Sequence, residues 1–232
     1  MRFLNILLLF VVLNAFSQEK MPVVKQDSLF TEVDSLYRED QFYFGITINL
    51  LQKKPAGLVQ NGLSTSLNLG FLRDMPINKN RTWAIAAGFG LSYNKYHQNM
   101  KVTETSGVIN YEIVGGETYS RNKLEQLFLD IPLEIRWRNS TFESHKFWRI
   151  YTGFKVRYLV YSKTKYVGDT DVTITGNDDF NKLQYGPYLS FGYNTWNFHA
   201  YYGLNPIFKS AKIDGKAVDM RTLNLGLMFY IL

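Results

Sequence analysis

The chain has 232 residues, with 26 Lys and Arg against 20 Asp and Glu, a formal net charge of +6, and no cysteine. The lack of cysteine excludes disulfide staples, thiol nucleophiles and cysteine-based metal sites. The positive balance is modest and scattered, unlike the basic runs that bind nucleic acid, while 16 Tyr and 17 Phe suit strands and membrane interfaces.

Residues 1–17 read as a secretory signal peptide. Arg2 supplies the positive start, Phe3–Phe16 is mostly apolar, and Ala15-Phe16-Ser17 gives a small-residue cleavage site before Gln18. The apolar stretch is too short for a spanning helix, which needs roughly 20 residues. The alternative is a membrane anchor. Residues 18–40 form a polar arm. Asp27 or Ser28 can cap a short helix there, with Leu29, Phe30, Val33, Leu36 and Tyr37 at helical spacing. The arm reads either as a marginal helix in a flexible segment or as an element that binds a partner or plugs a barrel.

From residue 41 onwards the pattern changes to period two. Eight strands are predicted near Gln41–Leu51, Leu63–Asp74, Trp83–Tyr96, Lys123–Arg138, Phe147–Tyr161, Leu183–Tyr193, Trp196–Pro206 and Arg221–Leu232. Each carries one apolar face, such as Phe42, Phe44, Ile46, Ile48 and Leu50 on the first. In Trp83–Asn94 the opposite face is small or polar: Ala84, Ala86, Gly88, Gly90, Ser92 and Asn94. Large apolar residues outside and small or polar residues inside describe a strand between lipid and a crowded interior.

The connections alternate in length. Long ones (52–62, 97–122, 162–182, 207–220) follow odd strands, and short ones (75–82, 139–146, 194–195) follow even strands. Trp83, Trp137, Trp148 and Trp196 all fall on the apolar face at the short-turn end, while Tyr93, Tyr158, Tyr185 and Tyr202 mark the other end. Amphipathic rings favour the two membrane–water interfaces, and outer-membrane barrels have short periplasmic turns and long outer loops. The expectation is therefore an all-β fold: an eight-stranded antiparallel transmembrane barrel of outer-membrane type over 41–232. A short periplasmic N-terminal arm precedes it, both termini are periplasmic, and the tryptophans form a periplasmic girdle.

The inward faces of the fourth and fifth strands are charged: Asp130, Glu134, Arg136 and Arg138 on one, Arg149, Lys155 and Arg157 on the other. An eight-stranded barrel is filled by side chains, and buried charges must pair, so these residues read as a packed ion-pair network. The alternative is a proton or anion path. A symmetric turn over 139–146 sets Asp130 across from Lys155 or Arg157. Pro132, without a ladder donor, suggests a bulge or bend. Ser190 and His199 face each other inward if Tyr193 pairs with Trp196. That is the start of a nucleophilic site, but with no acid to orient the histidine it reads first as an interior hydrogen bond. His97 and His145 show no metal-ligand spacing. Asp169, Asp171, Asp178 and Asp179 share one loop, but their spacing matches no EF-hand. No catalytic, cofactor or metal residue is assigned.

Leu129-Asp-Ile-Pro-Leu-Glu-Ile-Arg136 resembles the "EIP" strand of porin-like outer-membrane barrels from Bacteroidota. Three further segments are similar to the PorT (SprT) family: the run from Phe147 to Phe154, the run from Ser190 to Gly203, and the terminus from Leu223 to Leu232. That resemblance implies a non-enzymatic outer-membrane subunit of the type IX secretion system, serving protein export and gliding motility. Its partners would be membrane lipid and other secretion proteins, with no nucleic acid and no cofactor, and the barrel would be monomeric within a larger complex. Two other classes stay open: a small structural or adhesive barrel of the OmpX/OmpA kind acting through its long loops, and a lipid-modifying enzyme, which Ser190→Ala and His199→Ala would reveal.

Overall fold

The computed structural model describes residues 40–139 and 147–231. The predicted signal peptide, the arm with its Leu29, Phe30, Val33, Leu36 and Tyr37 stripe, and His145 lie outside the described residues. Among the described residues there are thirteen strands: β1 (Gln41–Gln52), β2 (Thr65–Pro76), β3 (Trp83–His97), β4 (Met100–Thr105), β5 (Val108–Ile113), β6 (Tyr119–Arg138), β7 (Trp148–Gly168), β8 (Val172–Thr175), β9 (Leu183–Tyr193), β10 (Trp196–Tyr202), β11 (Lys212–Ile213), β12 (Lys216–Ala217) and β13 (Arg221–Ile231).

Eight of them close a barrel. The hydrogen-bonded order runs β6-β3-β2-β1-β13-β10-β9-β7, and β7 returns to β6. Every pairing is antiparallel. The first and last strands meet along their whole length, from Phe42 opposite Ile231 to Gln52 opposite Arg221, so neither is left as an open edge.

The barrel is inside out relative to a soluble sheet. Alternate residues of β1 are exposed and apolar (Phe42, Phe44, Ile46, Ile48, Leu50), while Tyr43, Thr47 and Asn49 between them are buried. The same holds for Leu129, Ile131, Leu133 and Ile135 on β6 around buried Asp130, Glu134 and Arg136. A continuous exposed apolar wall of this size requires a non-aqueous neighbour. The Trp83–Trp137 pair sits directly across β3 and β6, Trp148 lies 5.5 Å from Tyr193, and Trp196 lies 5.2 Å from Phe229, all at the short-turn end.

The structure revises four details of the sequence reading. The connection 97–122 is not simply a loop, because it contains the β4–β5 hairpin. Residues Ser106 and Gly107 both take positive φ between the paired Thr105 and Val108, the two-residue turn that a strand twist favours. Strands β6 and β7 run to 20 and 21 residues, where about 9–11 suffice to cross a membrane, so both project well beyond the apolar belt. Strand β10 ends at Tyr202 rather than Pro206: Leu204 N instead bonds Tyr185 O, and Pro206 has no donor to extend the ladder.

The fourth revision concerns Pro132, where no bulge forms. It stays in register opposite Lys155, and its missing donor leaves only a gap in the β3 ladder opposite Gly88 and Phe89. The bulge falls elsewhere. At the Leu127–Phe128 step β7 carries one extra residue, Val160, so Val160 and Tyr161 both face outward.

The long connections pack on one another. Met100, Val102, Ile174, Phe180, Ile207, Phe208, Ile213, Val218 and Met220 form one apolar core with Leu51, Tyr96, Leu124, Phe128 and Leu159 of the barrel mouth. Phe180 and Phe208 stack at 4.7 Å. The long-loop end is thus a folded cap.

Candidate functional site

Among the described residues, two places concentrate polar chemistry: the barrel interior and a cleft in the cap. In the interior, alternation points every second residue of β2, β3, β6 and β7 inward, and the charges settle in two layers. Nearer the short-turn end, Asp74 accepts from Arg138 at 2.9 and 2.8 Å and from Arg136 at 3.1 Å, and Glu134 accepts from Arg136 Nε at 2.7 Å. Arg138 also donates to Arg81 O at 3.1 Å.

In the second layer Asp130 Oδ1 lies 3.3 Å from Arg157 Nε and accepts from Ser92 Oγ at 3.0 Å, while Oδ2 lies 3.3 Å from Lys155 Nζ. Arg157 Nη2 closes the triangle on Ser92 Oγ at 2.8 Å. Arg149 stands apart from both layers. Among the described residues its guanidinium meets the faces of Phe147, Tyr151 and Tyr230 rather than a carboxylate.

Six of the seven inward charges expected from sequence therefore contact an opposite charge. Asp74 was missed, although β2 alternation places it on the same buried face as Ser66 and Asn68. Tyrosines fill the remaining space. Tyr43 lies over Gly70 and Gly90, and a Cβ on Gly90 would sit 2.0 Å from its hydroxyl. An internal cavity of about 10 Å³ remains, lined by Tyr43, Pro132, Glu134, Lys155, Tyr188 and His199 among others, room for about one water.

Ser190 faces His199 in register, with Oγ 2.7 Å from Nδ1, both buried. Glu134 lines the same small cavity but is engaged by Arg136. The geometry is an enclosed hydrogen bond with the Tyr188 ring 5.7 Å from the imidazole, and it leaves no room for an acyl chain.

The second place is open to solvent. A cleft of about 820 Å³ lies between the β4–β5 hairpin, the 174–179 segment and residues 210–212. Tyr111 and Asp179 organise its floor. Tyr111 donates to Asp179 Oδ2 at 2.9 Å and accepts from Asn177 Nδ2 at 2.7 Å, and Ser210 donates to Asp179 Oδ1 at 2.5 Å. Burial, with Asp179 as acceptor, pushes the Tyr111 hydroxyl above its ordinary value, so it stays a donor. Glu104, Asp178 and Lys212 complete the rim, leaving an acidic balance.

The four loop aspartates separate. Asp169 pairs with Lys101 at 3.0 and 3.2 Å, and Asp178 pairs with Lys182 at 3.3 Å. Lys101 holds the Asp169 carboxyl below the usual carboxylate range, and Asp169 raises Lys101 in turn. Among the described residues no three metal-ligating side chains converge.

A model of the outer membrane protein beta-barrel domain matches residues 16–209. Among solved structures, the chain is similar to Ail, the attachment invasion locus protein of Yersinia pestis. Identity is 14% over 83% of this chain and 99% of that chain, with a TM-score of 0.33. A second structure is Ail in complex with the heparin analogue sucrose octasulfate, at 14% identity over 82% of this chain and 97% of that chain, with a TM-score of 0.34. No curated protein matches.

Proposed function

The chain belongs to the outer membrane protein beta-barrel domain family, and from that premise we propose that this outer-membrane barrel is a non-enzymatic surface protein whose folded cap recognises an external partner. The observation that carries this reading is the contrast between its two ends. Among the described residues, side chains fill the interior around a small cavity of about 10 Å³, whereas the cap holds a polar cleft of about 820 Å³ open to solvent. A filled barrel conducts nothing of useful size. Loops that bury their own apolar core exceed what barrel closure needs, and long ordered loops are characteristically functional.

In this reading the long-loop end faces outward, the four tryptophans sit at the periplasmic interface, and both termini are periplasmic. The acidic balance of the cleft favours neutral or cationic polar partners. The test is adhesion. Cells displaying the wild-type barrel should adhere to at least one member of an array of immobilised glycans and matrix proteins. Glu104→Gln/Asp178→Asn/Ser210→Ala should reduce that adhesion while leaving the barrel heat-modifiable. Unchanged adhesion by the triple variant would remove the cleft from the reading.

A second reading is a type IX secretion subunit. It is supported by the resemblance of the EIP strand and of the Phe147, Ser190 and Leu223 segments to the PorT family. Its partners would then be secretion proteins, engaged by the cap or by the arm 18–40. Deleting the gene separates the two readings: a secretion subunit requires lost export and gliding, and intact export in the knockout eliminates it.

A further inference from the structure

Just beyond the outward tyrosines, three neighbouring strands carry cations side by side. Tyr93 on β3 and Tyr161 on β7 flank Leu127 on β6 and mark the upper edge of the apolar wall. One step higher, roughly 7 Å along the strands, Lys95 lies opposite Glu125, which lies opposite Lys163. At the next step His97 lies opposite Lys123, which lies opposite Lys165, and Arg121 follows. All of these face outward on the barrel wall.

Five cations thus share a single carboxylate, Glu125, which is bonded to Lys123. Among the described residues Lys95, Arg121, Lys163 and Lys165 have no ion-pair partner. Some other cations of this end are matched: Lys53 and Arg221 with Asp219, Lys101 with Asp169, Lys182 with Asp178. Like charges directly across a ladder destabilise a sheet, and nothing in barrel closure requires them here. The crowding reaches His97, whose imidazole is held below its usual value by burial and then by Lys95, Lys123 and Arg121.

We propose that this sector is a binding site for the phosphate groups of an anionic outer-leaflet lipid. An unpaired cationic patch immediately above an apolar wall, at the height where interfacial tyrosines end, is complementary to a phosphorylated headgroup whose acyl chains lie along that wall. Phe89, Leu91, Leu129, Ile131 and Val160 on the same three strands are exposed below the patch to receive the chains. The site rests on the outward orientation of the long-loop end, but the test below does not.

Purified barrel in neutral detergent is titrated with bisphosphorylated lipid A, with dephosphorylated lipid A and with millimolar inorganic phosphate. Retained lipid is read by native mass spectrometry and stabilisation by the shift in melting temperature. Each cation near an anionic lipid surface contributes about a fivefold change in affinity. Lys95→Gln/Lys163→Gln/Lys165→Gln should therefore weaken lipid A binding about a hundredfold. Lys209→Gln/Lys212→Gln/Lys216→Gln, the same charge removed from the cap, should leave binding within a few-fold of wild type. Dephosphorylated lipid A and free phosphate should bind neither variant nor wild type appreciably.

Equal binding by the patch variant and wild type, or equal binding of the dephosphorylated lipid, would overturn the proposal. A phosphate response equal to that of lipid A would reduce the patch to a simple anion site and overturn the lipid assignment. Should the triple variant fail to fold, Lys95→Gln and Lys163→Gln, each alone, must still give the single fivefold step. Because the binding is measured in detergent, its failure leaves the membrane orientation standing.

Discussion

Asp130 is one carboxylate shared by two cations, and that asymmetry gives an unequal mutational response. Its side chain and those of Lys155 and Arg157 are almost wholly buried, with 3.3 Å contacts to each. Asp130→Leu removes the carboxylate that both cations contact and leaves Lys155 and Arg157 without it. Breaking a buried pair in this way typically costs about 3–5 kcal/mol, because an uncompensated charge stays in a low-dielectric interior. Lys155→Met acts differently. Asp130 keeps Arg157 and the Ser92 hydroxyl at 3.0 Å, the surplus cation disappears, and the thioether packs against the Tyr188 and Tyr201 rings that Lys155 now approaches at 5.4 and 5.7 Å. A change of this kind, close to volume-conserving, should stay within about 1.5 kcal/mol of wild type.

Equilibrium urea unfolding from lipid vesicles measures the difference, with the four tryptophans at one rim as the fluorescent reporter. Asp130→Leu should be less stable than Lys155→Met by about 2–3 kcal/mol, a ratio of roughly 30- to 140-fold in the folding constant. Equal losses for the two single variants would refute the shared-carboxylate account. So would full recovery of Asp130→Leu by Lys155→Met alone, since Arg157 would then still lack its partner.

Three further outcomes follow from the same geometry. Gly90→Ala places a Cβ 2.0 Å from Tyr43 Oη and 2.6 Å from Leu69 O. It should destabilise by about 1–3 kcal/mol, with partial rescue by Tyr43→Phe, and a neutral Gly90→Ala would mean that the tyrosine does not lie over the glycine. Planar-bilayer recordings of purified protein should show no stable porin-sized conductance, given an internal cavity of about 10 Å³; steady large conductance would sink the filled-barrel account. In the cap, the Lys101–Asp169 pair lowers the Asp169 carboxyl and raises the ammonium. Its contribution is therefore present above the unfolded aspartate value of about 3.9 and lost as pH falls through the lower folded value; on the alkaline side it is lost as pH rises through the raised value of Lys101. A carboxyl titration by NMR should find Asp169 below that ordinary value and Lys101→Met should return it; a wild-type Asp169 at the ordinary value would count against the pair.

The barrel could be read from sequence because lipid removes the usual ambiguity of strand patterning. A strand between water and a core leaves its polar face free to vary. In this wall both faces are constrained, the outer one to Phe, Leu and Ile, the inner one to whatever fits around a neighbour's side chain. Alternation therefore persists across all eight strands, and counting from one short turn sets Asp130 across from Lys155 or Arg157; the register pairs it with Arg157, and Lys155 reaches its other oxygen. The bulge at Val160 was invisible to that counting, since two successive outward residues look like any apolar step in a Tyr-Leu-Val-Tyr run. Asp74 was passed over for a different reason. Its partners Arg136 and Arg138 lie on β6, two strands away round the barrel, and β3 between them carries only Ala84 and Ala86 at that level.

The cap shows where local signals end. Two hairpin turns lie inside connections that the sequence reading takes as plain loops: Ser106-Gly107 between Met100–Thr105 and Val108–Ile113, and Asp214-Gly215 between Lys212–Ile213 and Lys216–Ala217. Such signals give hairpins but not what the hairpins pack against. Phe180 meets Phe208, and Tyr111 reaches Asn177 and Asp179 across 66 and 68 residues, contacts that only barrel closure brings within reach. The polar cleft depends on those long-range contacts. Losing the Tyr111 hydroxyl, or the apolar core beneath it, should therefore disturb the cleft, and with it the proposed recognition, while leaving the strands, which close through their own ladders, in place.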